Sequence, residues 1–201
     1  MLGGLGIAGF AGYQALESSG GIGRQLPLVG VDEQQPAAGD PNIPIPPDNG
    51  YRLVIEKIGV DAPVREEGLD ENAVPVVPID SEAGRVAIWY NFSAPPGSGD
   101  NAVFAGHVTW NGDAVFKHLA DVAPGDRVVV RAPDSSLLIY EVSQTTLIYP
   151  DDPTATSWMA PTGTDAITII TCGGEYRDTD DIFGGAYDQR YVVRAELVAR
   201  G

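Results

Sequence analysis

Ile167-Thr-Ile-Ile-Thr171-Cys172-Gly173-Gly174 is a β-branched run that ends in the only cysteine of the chain and meets two glycines at once. Stiff side chains suit a pleated surface, and no charge interrupts the run, so 167–171 reads as a buried strand. The glycine pair is expected to stop that strand and turn the backbone tightly. Cys172 then sits at a strand end among small neighbours that leave its sulfur approachable. A free cysteine is also among the most buried residue types, so an inert core thiol is the alternative reading.

Working outward, many short β-branched runs alternate with turn residues, 16 prolines and 25 glycines among 201 residues. Strands are expected at 52–58, 59–64, 85–90, 101–107, 127–131, 137–142, 145–149, 167–171 and 190–198. A short amphipathic helix is predicted over 113–120, with Asp113 as its cap and Val115, Phe116 and Leu119 on one face. Two long loops follow, 150–164 and 173–189. About eight closely spaced strands with one or two short helices imply a mainly β fold, an antiparallel closed or nearly closed barrel. The length supports one sizeable core.

Before this domain the texture differs. Residues 1–17 are largely apolar and uncharged, somewhat short of the roughly 20 that a membrane-spanning helix needs. They read either as the remnant of a membrane anchor or as a glycine-rich tail. Residues 18–50 are small, polar and then proline-rich, the composition of an extended linker. The catalytic candidate domain is therefore 51–201.

A net charge of −16 argues against nucleic acid or an anionic lipid surface as the main partner, because both reward Lys and Arg. One cysteine excludes an internal disulfide and a dithiol redox cycle, and with only two histidines no structural zinc site can form. Three residues at strand ends carry the chemistry. His107 closes an apolar run after Ala105-Gly106, Cys172 closes another, and Arg190 opens the last. An imidazole can take a thiol proton and return it to a leaving amine, and an arginine can hold the developing oxyanion. Together they suffice for acyl transfer through a thioester. Singly, His107 reads as a turn or core histidine and Arg190 as a surface ion pair. His118, beside Lys117 and Asp121, is the competing histidine and reads as solvated.

The chain resembles the sortases, the cysteine transpeptidases of Gram-positive-type cell surfaces. The resemblance spans about 51–198 and rests on Ile58-Gly-Val-Asp-Ala-Pro-Val64, Trp89-Tyr90, the Pro-Pro-Gly loop with Asn101-Ala-Val-Phe-Ala-Gly-His107-Val, Ala114-Val-Phe with Leu119, Pro124-Gly-Asp126 and Ile169-Ile-Thr-Cys172-Gly-Gly174. These look most like class F, with class E or D as the alternative. The resemblance implies an eight-stranded sortase-type barrel with Cys172, His107 and Arg190 as the catalytic set and Thr171 and Gly173 beside the substrate. It also implies cleavage of a Leu-Pro-x-Thr-Gly-like sorting signal between Thr and Gly and transfer to an amine. The acceptor would be a peptidoglycan precursor or a pilin lysine, at the outer face of a cell membrane, with no cofactor.

The chain departs from class F after Cys172. Glu175-Tyr176 and the acidic Asp178-Thr-Asp-Asp181 replace an aromatic–Asp pair, and an Asn expected at the opening of the final strand is missing. Arg194 thus stands second for the arginine role. The acidic stretch reads as a calcium loop or a solvated turn. Leu26-Pro-Leu-Val-Gly30 resembles a sorting signal with Val in place of Thr, and could act as a pseudosubstrate. A hydrolytic cysteine peptidase on the same barrel and a binding module with a buried thiol are the other functional readings.

Overall fold

The computed structural model describes residues 50–178 and 185–201. The apolar segment 1–17, the linker up to residue 49, the Leu26–Gly30 motif and residues 179–184 lie outside the described residues.

Eight strands form the molecule: β1 (Arg52–Ile55), β2 (Val60–Glu67), β3 (Ala87–Tyr90), β4 (Asn101–Ala105), β5 (Arg127–Arg131), β6 (Leu137–Ile148), β7 (Ala166–Asp178) and β8 (Gly185–Arg200). They close into a barrel in the order β1-β2-β3-β4-β7-β8-β6-β5. The expected barrel is present, with one difference in its pairing. β2 runs parallel to β3 and β4 parallel to β7, and the other neighbours are antiparallel.

Burial explains which runs read clearly. β5 alternates buried and exposed positions, as a strand with one wet face does. β4 is buried at all five positions and β7 over its first six, because both faces of these strands are covered. Inward, Phe104, Ile167, Ile169 and Val193 join the barrel core with Leu53, Val128 and Tyr140. Outward, Val103, Ala105, Ile170 and Val192 form a second apolar layer with Ile88 and Tyr90, packed against Val77, Ile148, Trp158 and Met159. Parallel pairing and double cover are why these runs carry no charge at all.

Several local expectations are corrected. Gly173-Gly174 does not end β7. Gly174 adopts φ 80°, the register with β8 shifts between Gly173 and Tyr176, and pairing resumes at Tyr176↔Tyr187. The glycines make a bulge, and most of the expected loop 173–189 is a two-stranded ribbon. β6 is one strand with a register shift at Val142/Gln144 where two were expected. No α-helix forms over 113–120: the amides of Lys117 and Leu119 donate to the carbonyls only three residues back, Ala114 and Phe116, and those of Ala114, Val115 and Phe116 go to the distant carbonyls of Val108, Gly84 and His107. Phe116 and Leu119 are buried all the same. The helical content of the described residues is three 3₁₀ turns, at Glu56–Ile58, Leu119–Asp121 and Ala155–Met159.

The barrel end away from Cys172 is fastened by one carboxylate. Asp165, just before β7, accepts from Arg200 at 2.8 Å, from the Tyr140 hydroxyl at 3.2 Å and from the Gly99 amide at 3.2 Å. The Tyr140 oxygen accepts in turn from the Gly97 amide at 2.9 Å. Loop 95–100, β6, β7 and β8 thus meet at one group. Asp165→Ala is expected to lower unfolding stability by about 2 kcal/mol, and Tyr140→Phe by about 1 kcal/mol, in urea titrations. Thiol reactivity of the folded protein should stay unchanged in both variants.

Candidate active site

Three adjacent strands bring the candidate residues together. In the parallel β4/β7 pair, Ala105 lies opposite Ile170. Carrying that register two residues onward sets His107 beside Cys172. In the antiparallel β7/β8 pair, Cys172 lies directly opposite Arg190. Side chains alternate between the faces of a sheet. Ile170 and Val192 belong to the outer layer, so Cys172 and Arg190, each two residues away, share that outer face. The three sit in a row at one end of the barrel.

Cys172 is a free thiol, partly exposed. Burial pushes its pKa up, and the Arg190 charge opposes that rise. Arg190 is 1% exposed, and its Nη1 donates to the carbonyls of Gln189 at 2.7 Å and Tyr187 at 3.2 Å. Burial lowers its pKa while the thiolate form of Cys172 favours its charge, and a guanidinium stays protonated through such changes. His107 is pulled below the usual imidazole range by burial, against the bond from its Nε2 to the Pro78 carbonyl and the nearby Asp80 charge. Near neutral pH the resting pair is therefore a thiol beside a neutral imidazole.

Thr171 and Gly173, the chain neighbours of Cys172, take the opposite, inward face. The Thr171 hydroxyl, 3% exposed, donates to the Gly106 carbonyl at 2.7 Å. This bond ties the end of β4 to β7 immediately before His107 and Cys172. A Cβ at Gly173 would lie 2.9 Å from Leu147 Cδ2 and 3.0 Å from the Tyr191 amide nitrogen, so any side chain there would require Leu147 and the facing part of β8 to give way.

Arg194 and His118 are placed elsewhere. Arg194 lies opposite Thr168, four residues along β7 from the cysteine. It donates to the Trp158 carbonyl at 2.9 Å and stands 5.5 Å from the centre of the Trp158 ring. Its work is to hold the loop. His118 has a 61% exposed side chain and pairs with Asp121 at 3.5 Å. It lines a separate cleft with Ile58, Arg85 and Lys117.

Two features escaped the sequence reading. Asn101, 2% exposed, donates to the carbonyls of Trp158 and Ala160 at 3.0 Å each and accepts from the Thr168 hydroxyl at 2.8 Å. It lashes the long loop 150–164 to the outer face of the sheet. A polar residue opening an otherwise apolar strand was its only signal. On the other flank of Arg190, an open recess of about 380 Å³ is lined by Tyr149, Pro150, Asp151, Arg177, Tyr187 and Asp188. Asp178 ends β7 and the rest of the acidic stretch lies outside the described residues.

A sortase-domain family profile matches residues 53–198, nearly the whole barrel. The chain belongs to the sortase family, whose members are cysteine transpeptidases acting on sorting signals. No curated protein sequence matches it. Among solved structures it is similar to a Clostridium perfringens sortase D5 transpeptidase, at 23% identity and TM-score 0.55, covering 76% of this chain and 80% of that one. A lid mutant of sortase A from Corynebacterium diphtheriae is 25% identical with TM-score 0.55, covering 75% and 70%. Sortase A of Listeria monocytogenes is 20% identical with TM-score 0.56, covering 77% and 90%. The shared feature across these classes is the barrel.

Arg190→Met removes the charge that opposes the rise of the Cys172 pKa. The midpoint of the pH dependence of iodoacetamide alkylation is expected to move upward by about one pH unit. An unmoved midpoint would show that the guanidinium does not act on the sulfur.

Proposed function

We propose that Cys172 is the nucleophile, His107 the general base and acid, and Arg190 the group that steadies the oxyanion or the substrate backbone. The chain would act on a Leu-Pro-x-Thr-Gly-like signal as a sortase of class F type. The observation that supports this reading is the register that sets Cys172 opposite Arg190 and, carried two residues past the end of β4, brings His107 to the other side of the cysteine.

The chemistry follows from the protonation states. Cys172 Sγ attacks the carbonyl carbon of the signal's Thr as its proton passes to His107, giving a tetrahedral oxyanion beside Arg190. The C–N bond to Gly breaks, and His107 gives its proton to the departing amine. An incoming amine then attacks the thioester, loses a proton to His107, and the sulfur leaves and is reprotonated. A neutral imidazole can start this cycle and an imidazolium cannot, which suits a histidine held below its ordinary range.

The acceptor would be a peptidoglycan precursor or a pilin lysine. Residues 1–17 and 18–50 would hold the domain at the outer face of the membrane as anchor and spacer. No helix among the described residues is long and apolar enough to cross a membrane.

The test is a fluorogenic Leu-Pro-x-Thr-Gly peptide with and without triglycine, its products read by mass spectrometry. Thr–Gly cleavage and triglycine ligation are expected, both lost in Cys172→Ala and reduced by about a thousandfold in His107→Gln. Cleavage without ligation in the presence of triglycine would make the enzyme a hydrolase. No turnover, with Cys172 inert to alkylation in the folded protein, would leave a binding module. For the active enzyme, kcat/KM is expected to stay level through neutral pH and to fall on the acid side only below about 6.5, the ordinary imidazole value. An acid limb centred above that value would contradict the neutral resting imidazole.

A further inference from the structure

Nothing in the cycle above says which nitrogen of His107 moves the proton, and the residues around the ring answer it. The Nε2 atom lies 2.8 Å from the Pro78 carbonyl oxygen. A carbonyl only accepts, so in the neutral ring Nε2 must carry the hydrogen. Nδ1 then holds the lone pair, and it makes no hydrogen bond to any described residue.

The ring is held from a second direction. Trp110 stacks on it with centroids 4.9 Å apart and planes 23° from parallel. Trp110 is itself fastened to the segment that supplies the carbonyl, because its Nε1 donates to the Asp80 carbonyl at 2.7 Å. The Asp80 carboxylate is gripped by Arg65 of β2 and accepts from the Glu82 amide at 3.0 Å. Val77, at the other end of the segment, packs into the outer apolar layer. Pro78 adds its fixed φ, which limits how its carbonyl can turn. The turn that presents Trp110 is closed by a Trp110 amide to Gly112 carbonyl bond and a Thr109↔Asp113 bridge, with Asn111 and Gly112 at positive φ. Residues 77–80 therefore run over the histidine as a strap pinned at both ends, and Trp110 clamps ring and strap together.

We propose that this strap and Trp110 are the positioning device of the site: they hold His107 as the Nε2–H tautomer, so that Nδ1 takes the thiol proton and later returns it to the leaving amine. The inference rests on the Cys172–His107 reading above. Trp110 acts through the histidine and touches no reacting atom.

With only two histidines in the chain, the tautomer can be read directly. Long-range ¹H–¹⁵N spectra of the full-length protein, with His118→Gln to assign the signals, should show neutral His107 with Nε2 protonated and Nδ1 bare. Trp110→Ala is expected to lower kcat for the peptide about tenfold with KM little changed, while Trp110→Phe, which keeps a ring on the imidazole, recovers most of it. Arg65→Ala frees Asp80 from a half-exposed position without touching the stack and should lower kcat in the same sense even if Trp110→Ala fails to fold. An Nδ1-protonated His107, or a kcat within about twofold of wild type in both Trp110→Ala and Arg65→Ala, overturns the proposal. Absence of any Cys172-dependent turnover in the wild type would sink the functional reading instead, and the spectrum would still report the tautomer.

Discussion

The parallel pairing of β4 with β7 is the constraint on which the site depends. It sets five residue pairs, from Asn101↔Ala166 to Ala105↔Ile170, and both strands run out at the same end of the barrel. The Thr171 to Gly106 bond extends that alignment one step beyond the ladder. A histidine and a cysteine 65 residues apart in sequence become neighbours without either being drawn from a mobile loop. Antiparallel pairing then adds Arg190 from the opposite side of β7. Side chains carried by, or just past the end of, strands whose two faces are both covered have little room to drift.

The electrostatics of the row are balanced rather than extreme. Burial works against charge on all three groups, raising the thiol and lowering the imidazole and the guanidinium. Only the guanidinium stays ionised under that pressure. The result is a row with one fixed positive charge beside a thiol and an imidazole that both rest neutral. An arrangement of this kind stabilises negative charge when it develops on a substrate oxygen and holds little of it at rest.

Much of the architecture could be read from residue patterns. Uninterrupted apolar runs such as Ala102-Val-Phe-Ala105 and Ile167-Thr-Ile-Ile170 announced strands covered on both faces, and His107 lies just past the end of β4 as read, whereas Cys172 and Arg190, read as closing one strand and opening another, fall inside β7 and β8. The misreadings share a cause, which is that backbone partners far away in sequence decide the outcome. Gly173-Gly174 looks like a stop because glycine weakens a strand locally, but β8 continues to pair across it and turns the pair into a bulge. The segment 113–120 has helical periodicity, yet its own bonds close only three residues back, and its first amides are anchored to distant carbonyls of Gly84 and His107. Arg194 could not be told from Arg190 by composition. Register alone puts one opposite the sulfur and the other under Trp158. The Pro78 carbonyl has no sequence signature at all, since every residue owns one.

The order of strands around the barrel also governs when the site can exist. β4 must wait for β7, with β5 and β6 lying between them in the chain, and Arg190 belongs to the last strand to be made. Contacts of such long sequence separation form late and slowly during folding. A partly synthesised chain holds a histidine with no thiol beside it, and later a thiol with no guanidinium opposite. Competence for acyl transfer and completion of the barrel thus arrive in the same event, when β8 takes its place between β7 and β6.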